Sequence, residues 1–269
     1  MVGLLLLIGL FTGVCSGLLG VGGGFILIPL LLLLRVPMEV AVSASLVFVL
    51  FSSASGMLRH GFQGTVDGRL AAFVAACSVL TAVAGSLLTV QLPPSILQAL
   101  LGVCVLAGLV FMNRRPKLQV QLDGPAPASR WRYPRTAHYG SRVVHYQIDF
   151  VKGSLVGAAA GFLSGLLGVG GGVLMIPLLV GVMAIPLPVA IGTSLLTILV
   201  SAFAGALTHW GQGSMEAAVV WSTALMGVIG AQVGAALVLK LRERSLKGLL
   251  NGLLVSSAAY LFLRAGMGL

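Results

Sequence analysis

Six carboxylates, four histidines and three cysteines are the groups that this chain of 269 residues offers for acid–base or metal chemistry. The carboxylates are Glu39, Asp67, Asp123, Asp149, Glu216 and Glu243, and each falls at the edge of an apolar block or between blocks. None forms a pair that could act as general acid and base. Cys15, Cys77 and Cys104 lie inside apolar segments without C-x-x-C spacing, and read as small buried hydrophobes. His138 and His145 stand in a polar stretch. His60 and His209 each precede a Gln-Gly pair, Gln63-Gly64 and Gln212-Gly213. These two could carry a proton near neutral pH, although the role of an interfacial residue capping a helix end is the plainer one. No metal-ligand spacing is present, no cofactor is implied, and an enzyme is not expected.

The remaining chemistry is that of the backbone. Gly13-Val14-Cys15-Ser16-Gly17-Leu18-Leu19-Gly20-Val21-Gly22-Gly23-Gly24 has a second copy in Gly161-Phe162-Leu163-Ser164-Gly165-Leu166-Leu167-Gly168-Val169-Gly170-Gly171-Gly172. Proline follows five residues later in both, as Pro29 and Pro177. Three glycines in a row weaken a helix and permit irregular backbone. A new half-helix starting there presents N–H groups without an intrahelical partner and the positive end of its dipole, which together suit an anion. No Lys-Ser/Thr follows, so a nucleotide phosphate loop is not expected. Gly13/Gly17 and Gly161/Gly165 have GxxxG spacing and read as helix packing. Hydroxyls near the breaks or segment ends are Ser16, Ser43, Ser45, Ser164, Thr193 and Ser194. With no carboxylate, lysine or arginine in mid-span, the expected anion site comprises Ser16, Gly20, Gly22, Gly23, Gly24, Ser45, Ser164, Gly168, Gly170, Gly171, Gly172, Thr193 and Ser194.

The elements that must position these residues are membrane helices. Hydrophobic residues make up 58% of the chain, charged residues 8%, and mean hydropathy is +1.08. The apolar residues gather in blocks of spanning length such as Val40–Met57, Leu70–Val90, Ile96–Met112, Val189–Leu207 and Ala217–Leu239. The net charge of +10 does not signal nucleic acid, because eight of the 16 basic residues lie between Arg114 and Lys152. That placement is typical of a cytoplasmic loop, here expected to be solvated, with lipid as a further neighbour. The repeat continues through Ser45/Ser194, Gly56/Gly205, His60/His209 and Asp67/Glu216. Residues 1–113 and 151–269 are therefore two copies of one unit, joined by a basic linker, 114–150.

Gly3–Leu34 runs 32 residues without a charge. That is about 48 Å as one helix, too long for one span and too short for two. A re-entrant helix broken at the glycines resolves this, with three spans following in each half. Three is odd, so the halves become inverted repeats. The basic residues then divide 14 to 2 across the membrane, which places the linker inside and both termini in the periplasm. The expected fold is an all-α polytopic protein of the cell inner membrane.

The doubled GxxSGLLGVGGG motif with its proline, the Ser-Leu helix and the Gly-x-x-x-His turn resemble the TauE/SafE family of sulfite exporters. The match covers both halves and leaves out the linker. The resemblance implies export of a small sulfur-containing anion, sulfite or an organosulfonate such as sulfoacetate, by alternating access. The family motif falls on Ser16, Gly20, Gly22–Gly24, Ser164, Gly168 and Gly170–Gly172. An anion channel, or a carrier of another small anion or solute in the same fold, stays open at this point. So does assembly as a homo-oligomer.

Overall fold

A computed structural model describes residues 2–62, 65–113, 132–139, 142–211, 216–241 and 243–266. Asp123 and the two Gln-Gly pairs lie outside them. The first half contains α1 (Val2–Leu19), α2 (Gly24–Leu33), α3 (Met38–Phe62), α4 (Gly68–Thr89) and α5 (Pro94–Asn113). The second contains α6 (Phe150–Leu167), α7 (Gly172–Gly181), α8 (Leu187–Gly211), α9 (Ala217–Leu237) and α10 (Glu243–Gly266). Between them lies an antiparallel hairpin, β1 (Arg132–Tyr139) and β2 (Arg142–Asp149), with Arg132 opposite Asp149 and Thr136 opposite His145.

The charge-free segment is broken as its glycines require. α1 and α6 each end just before the glycine run, and α2 and α7 start at its last glycine. Each long arm has 18 residues and each short arm ten. Among the described residues, eight helices are long and apolar enough to cross a membrane, and these include α1 and α6. The broken element thus pairs an arm of spanning length with a half-length one.

Each long arm packs on a helix from the other half. Gly9, Gly13 and Gly17 of α1 meet the backbone of Thr223, Gly227 and Ala231 in turn, so α1 and α9 run parallel. Gly157, Gly161 and Gly165 of α6 meet Val74, Ser78 and Ala82 of α4 in the same sense. A Cβ on Gly17 would lie 2.0 Å from the Ala231 carbonyl oxygen. Only glycine allows this approach, which fits the packing role of the GxxxG spacing. The start of α6 and the end of α7 come together, since a Cβ on Gly153 would lie 3.6 Å from Met183 Cε. Arg264, near the end of α10, donates to the Leu32 carbonyl near the end of α2.

The described part of the linker, β1 and β2, departs from the solvated loop expected of it. Tyr146 and Ile148 alternate onto one face of β2 and are buried. An isolated hairpin is marginal in water and needs a surface to pack on. The surface here is the turn that opens α4. Asp67 caps that helix, its Oδ1 accepting from the N–H groups of Arg69 at 3.1 Å and Leu70 at 3.2 Å. Arg135 grips the same carboxylate with both arms of its fork, Nε to Oδ2 at 3.2 Å and Nη2 to Oδ1 at 3.1 Å. Tyr146 donates its hydroxyl to Oδ2 at 2.5 Å. The Asp67 N–H donates to Thr193 Oγ1 at 3.0 Å, which ties the turn to α8. Asp149 ends β2 and caps α6, so the hairpin is joined firmly to both neighbours.

Candidate functional site

The two glycine tips meet each other. A Cβ on Gly24 would lie 2.7 Å from Val169 Cα, and one on Gly172 would lie 1.8 Å from the Val21 carbonyl oxygen. Gly22 and Gly170 both abut Val49 of α3 and Ile198 of α8. Gly20, Gly22 and Gly23 have φ of 68°, 80° and 83°, and Gly168, Gly170 and Gly171 have 69°, 73° and 71°. This left-handed backbone turns the chain sharply, and a helix restarts at Gly24 and at Gly172, one residue after the last such glycine. Residues 20–29 and 164–177 are buried throughout.

At each restart the N-cap is glycine, Gly23 or Gly171, which supplies no side-chain oxygen to the first turn. The cap carbonyls accept from Ile26 and Leu27 and from Leu174 and Met175. The first N–H groups of α2 and α7 have no acceptor within their own helices. Both half-helix N-termini thus lie in one buried region.

The serines predicted for this site do different things. Ser45 donates to the Gly168 carbonyl at 2.6 Å, and Ser194 donates to the Gly20 carbonyl at 2.7 Å. Each half therefore fastens the break of the other. Replacing either serine by alanine leaves a buried carbonyl without this donor, at a cost of about 1–3 kcal/mol. Thermal melting of the two variants should show comparable drops, since the contacts mirror one another. Ser16 lies at the first tip and donates to Ser52 Oγ at 3.3 Å. Ser164 lies at the second, where its Oγ is buried and without a partner. Thr193 is engaged by Asp67 rather than by a tip. Ser43 donates to the Glu39 carbonyl one turn back.

His60 and His209 lie beside the last turns of α1 and α6. His60 is fully buried, with Nε2 3.1 Å from the Gly17 carbonyl and Nδ1 3.1 Å from Thr65 Oγ1. A carbonyl only accepts, so Nε2 carries the proton in this arrangement. His209 faces the matching carbonyl of Gly165. Both therefore sit within a few residues of a tip, against the arm that leads to it.

Thr12, Ser52 and Ser53 were not among the residues expected at the breaks, yet they stand at the first tip. A signal existed: Thr12 is the one hydroxyl residue between Gly3 and Cys15, and Ser52-Ser53 interrupts an apolar block. A separate cleft of about 420 Å³ between α3, α8 and α9 is lined by apolar and aromatic side chains, including Phe51, Phe203 and Trp221. It offers little to orient an anion. Among the described residues no group of three metal-ligating side chains occurs.

Long apolar helices around paired breaks, with freed backbone buried at their centre, define a polytopic helical membrane transporter. The chain belongs to the TauE/SafE family: the model described as "Sulfite exporter TauE/SafE" matches residues 5–263. A probable membrane transporter protein of Methanocaldococcus jannaschii is 25% identical over 65% of this chain and 60% of its own length. The probable membrane transporter protein YunE of Bacillus subtilis is 25% identical over 90% of each chain. A sulfite exporter TauE/SafE family protein of Arabidopsis thaliana is 30% identical over 39% of this chain and 22% of its own. No solved structure matches. Family membership makes the protein a multi-pass membrane transporter rather than an enzyme.

Proposed function

We propose that this transporter exports a small sulfur-containing anion, sulfite or an organosulfonate such as sulfoacetate, across the cell inner membrane. The anion is held between the two tips by half-helix N-termini and hydroxyls, and reaches either side by alternating access. The observation that carries this is the meeting of two glycine-capped helix starts in one buried region. Two such dipole ends and a few charge-assisted hydrogen bonds supply about 4–8 kcal/mol, an affinity between millimolar and micromolar. That is weak enough for release. The family description names sulfite, and the absence of mid-span charge in the sequence favours neutral donors.

The two halves act as inverted repeats, residues 1–113 and 151–269, with the linker cytoplasmic and both termini periplasmic. The return of the end of α7 to the start of α6 supports this, as does the 14 to 2 division of basic residues. His60 and His209 couple proton movement to the tips from their places beside α1 and α6.

The test is thermal stabilisation of purified protein by sulfite, sulfate, thiosulfate, sulfoacetate, phosphate and chloride, followed by flux in liposomes. A ligand that binds only the folded state raises its melting temperature. Sulfite or sulfoacetate should stand out and move down its gradient saturably. Stabilisation by sodium or a neutral solute alone, with no anion effect, would overturn the proposal. Unsaturable flux would favour a channel.

A further inference from the structure

The two tips are chemically unequal. Beside Gly23 stand Thr12 and Ser16, whereas beside Gly171 stand Ala160 and Ser164. Around Gly22, α3 brings Ser52 and Ser53. The matching positions of α8 hold Ser201 and Ala202. Thr12 and Ser53 thus have no hydroxyl counterpart in the second half. Both are fully buried, and the hydroxyl oxygen of each lacks a hydrogen-bond partner. A Cβ on Gly22 would lie 3.7 Å from Ser53 Oγ, and one on Gly23 would lie 3.0 Å from Thr12 Cγ2. Ser16 and Ser52 beside them are already engaged, Ser16 with Ser52 and Ser52 with the Gly22 carbonyl at 3.3 Å.

A buried hydroxyl left unmet costs about 1–3 kcal/mol. Two at one tip, next to a helix start with free N–H groups, form a set of donors awaiting acceptors. A hydroxyl rotates to suit its partner and serves one acceptor atom. A ligand meeting Thr12, Ser53 and the α2 N-terminus together therefore needs several acceptor oxygens.

We infer that the transported anion binds off the pseudo-symmetry axis, at the first tip, with Thr12 and Ser53 donating to two of its oxygens. This rests on the anion-transport function proposed above. The ligand class is an oxyanion, such as sulfite or a sulfonate head group, rather than a halide. The second tip, where Ser164 is the unpartnered hydroxyl, closes over the ligand from the other side.

The experiment measures sulfite and sulfoacetate affinity by titration calorimetry on the full chain. Thr12→Val and Ser53→Ala should each weaken binding about 10- to 100-fold, the loss of one hydrogen bond to a charged group. Thr12→Ser should recover most of it. Ser78→Ala removes another buried, unpartnered hydroxyl, on the α4 face packed against α6, and should leave affinity unchanged. Melting curves check that each variant folds. Undiminished binding in Thr12→Val and Ser53→Ala overturns the off-axis site while the anion function stands. So does an equal loss in Ser78→Ala. If the wild-type chain binds neither anion, the proposed function falls and this inference with it.

Discussion

Gly172→Ala should abolish transport and lower the melting temperature, although it adds a single methyl group. The new Cβ would lie 1.8 Å from the Val21 carbonyl oxygen and 2.3 Å from its carbon, so the two tips must separate. Overpacking of this kind costs about 1–3 kcal/mol, and rigid backbone on both sides puts this case at the upper end. Gly171→Ala adds a left-handed backbone penalty of about 1–2 kcal/mol at φ 71°, with the Ala160 carbonyl 2.5 Å from the new atom. Gly252→Ala in α10 is the counterpart. Nothing lies within 4 Å of its Cβ position, and removing a helical glycine should stabilise by about 0.5–1 kcal/mol. Melting curves and sulfite flux on the three variants check this. Full flux in Gly172→Ala would mean that the tips need not touch for transport.

Arg135→Ala should have the second largest effect, of about 3 kcal/mol. It strips the guanidinium from a carboxylate whose side chain is 3% exposed, while its own is 29% exposed. Removing one partner from a buried pair leaves an uncompensated charge and typically costs 3–5 kcal/mol; the partial exposure of Arg135 sets the lower figure. Asp67→Asn should be milder, and Arg135→Ala should add little in that background, since the carboxylate it answers is gone. Burial alone would raise the Asp67 pKa, but Arg135, Tyr146 and the Leu70 N–H outweigh it and hold the carboxyl below its ordinary value of 3.8. With the folded value depressed, this contribution is complete above 3.8 and fades as pH falls through the folded pKa. Acid should therefore loosen the hairpin from α4, and Asp67→Asn should flatten that limb of the stability curve. Melting from pH 2 to 7 reads both effects.

The broken helices were legible because glycine runs and proline act locally. A charge-free stretch too long for one span, with Gly22–Gly24 at its middle, has few ways to fold. The cross-half serine bonds were legible in part. Pairing Ser45 with Ser194 follows from the repeat, but that each binds the opposite tip depends on contacts across more than a hundred residues. The hairpin was not legible. Val144, Tyr146 and Ile148 do alternate with polar residues, but Pro134 interrupts the other strand and both strands lie in a basic, proline-rich linker that reads as a loop. Its docking depends on one buried carboxylate that sequence shows as a plain helix cap. Thr12 and Ser53 were missed for a different reason. Matching the halves finds what they share, and these two positions matter where the halves differ.

The parallel seam between α1 and α9 also sets a timetable for the nascent chain. α1 leaves the ribosome first, yet the surface that covers its three glycines, Thr223 to Ala231, is made about 200 residues later. At about 5–20 residues per second that is a delay of roughly 10–40 s. α6 has no such wait, because α4 already stands in the bilayer when it arrives. The second broken helix therefore docks on synthesis, while the glycine face of the first remains uncovered until α9 captures it. A chain halted anywhere before α9 carries an N-terminal helix with a bare glycine face, which is the kind of defect that membrane quality control removes.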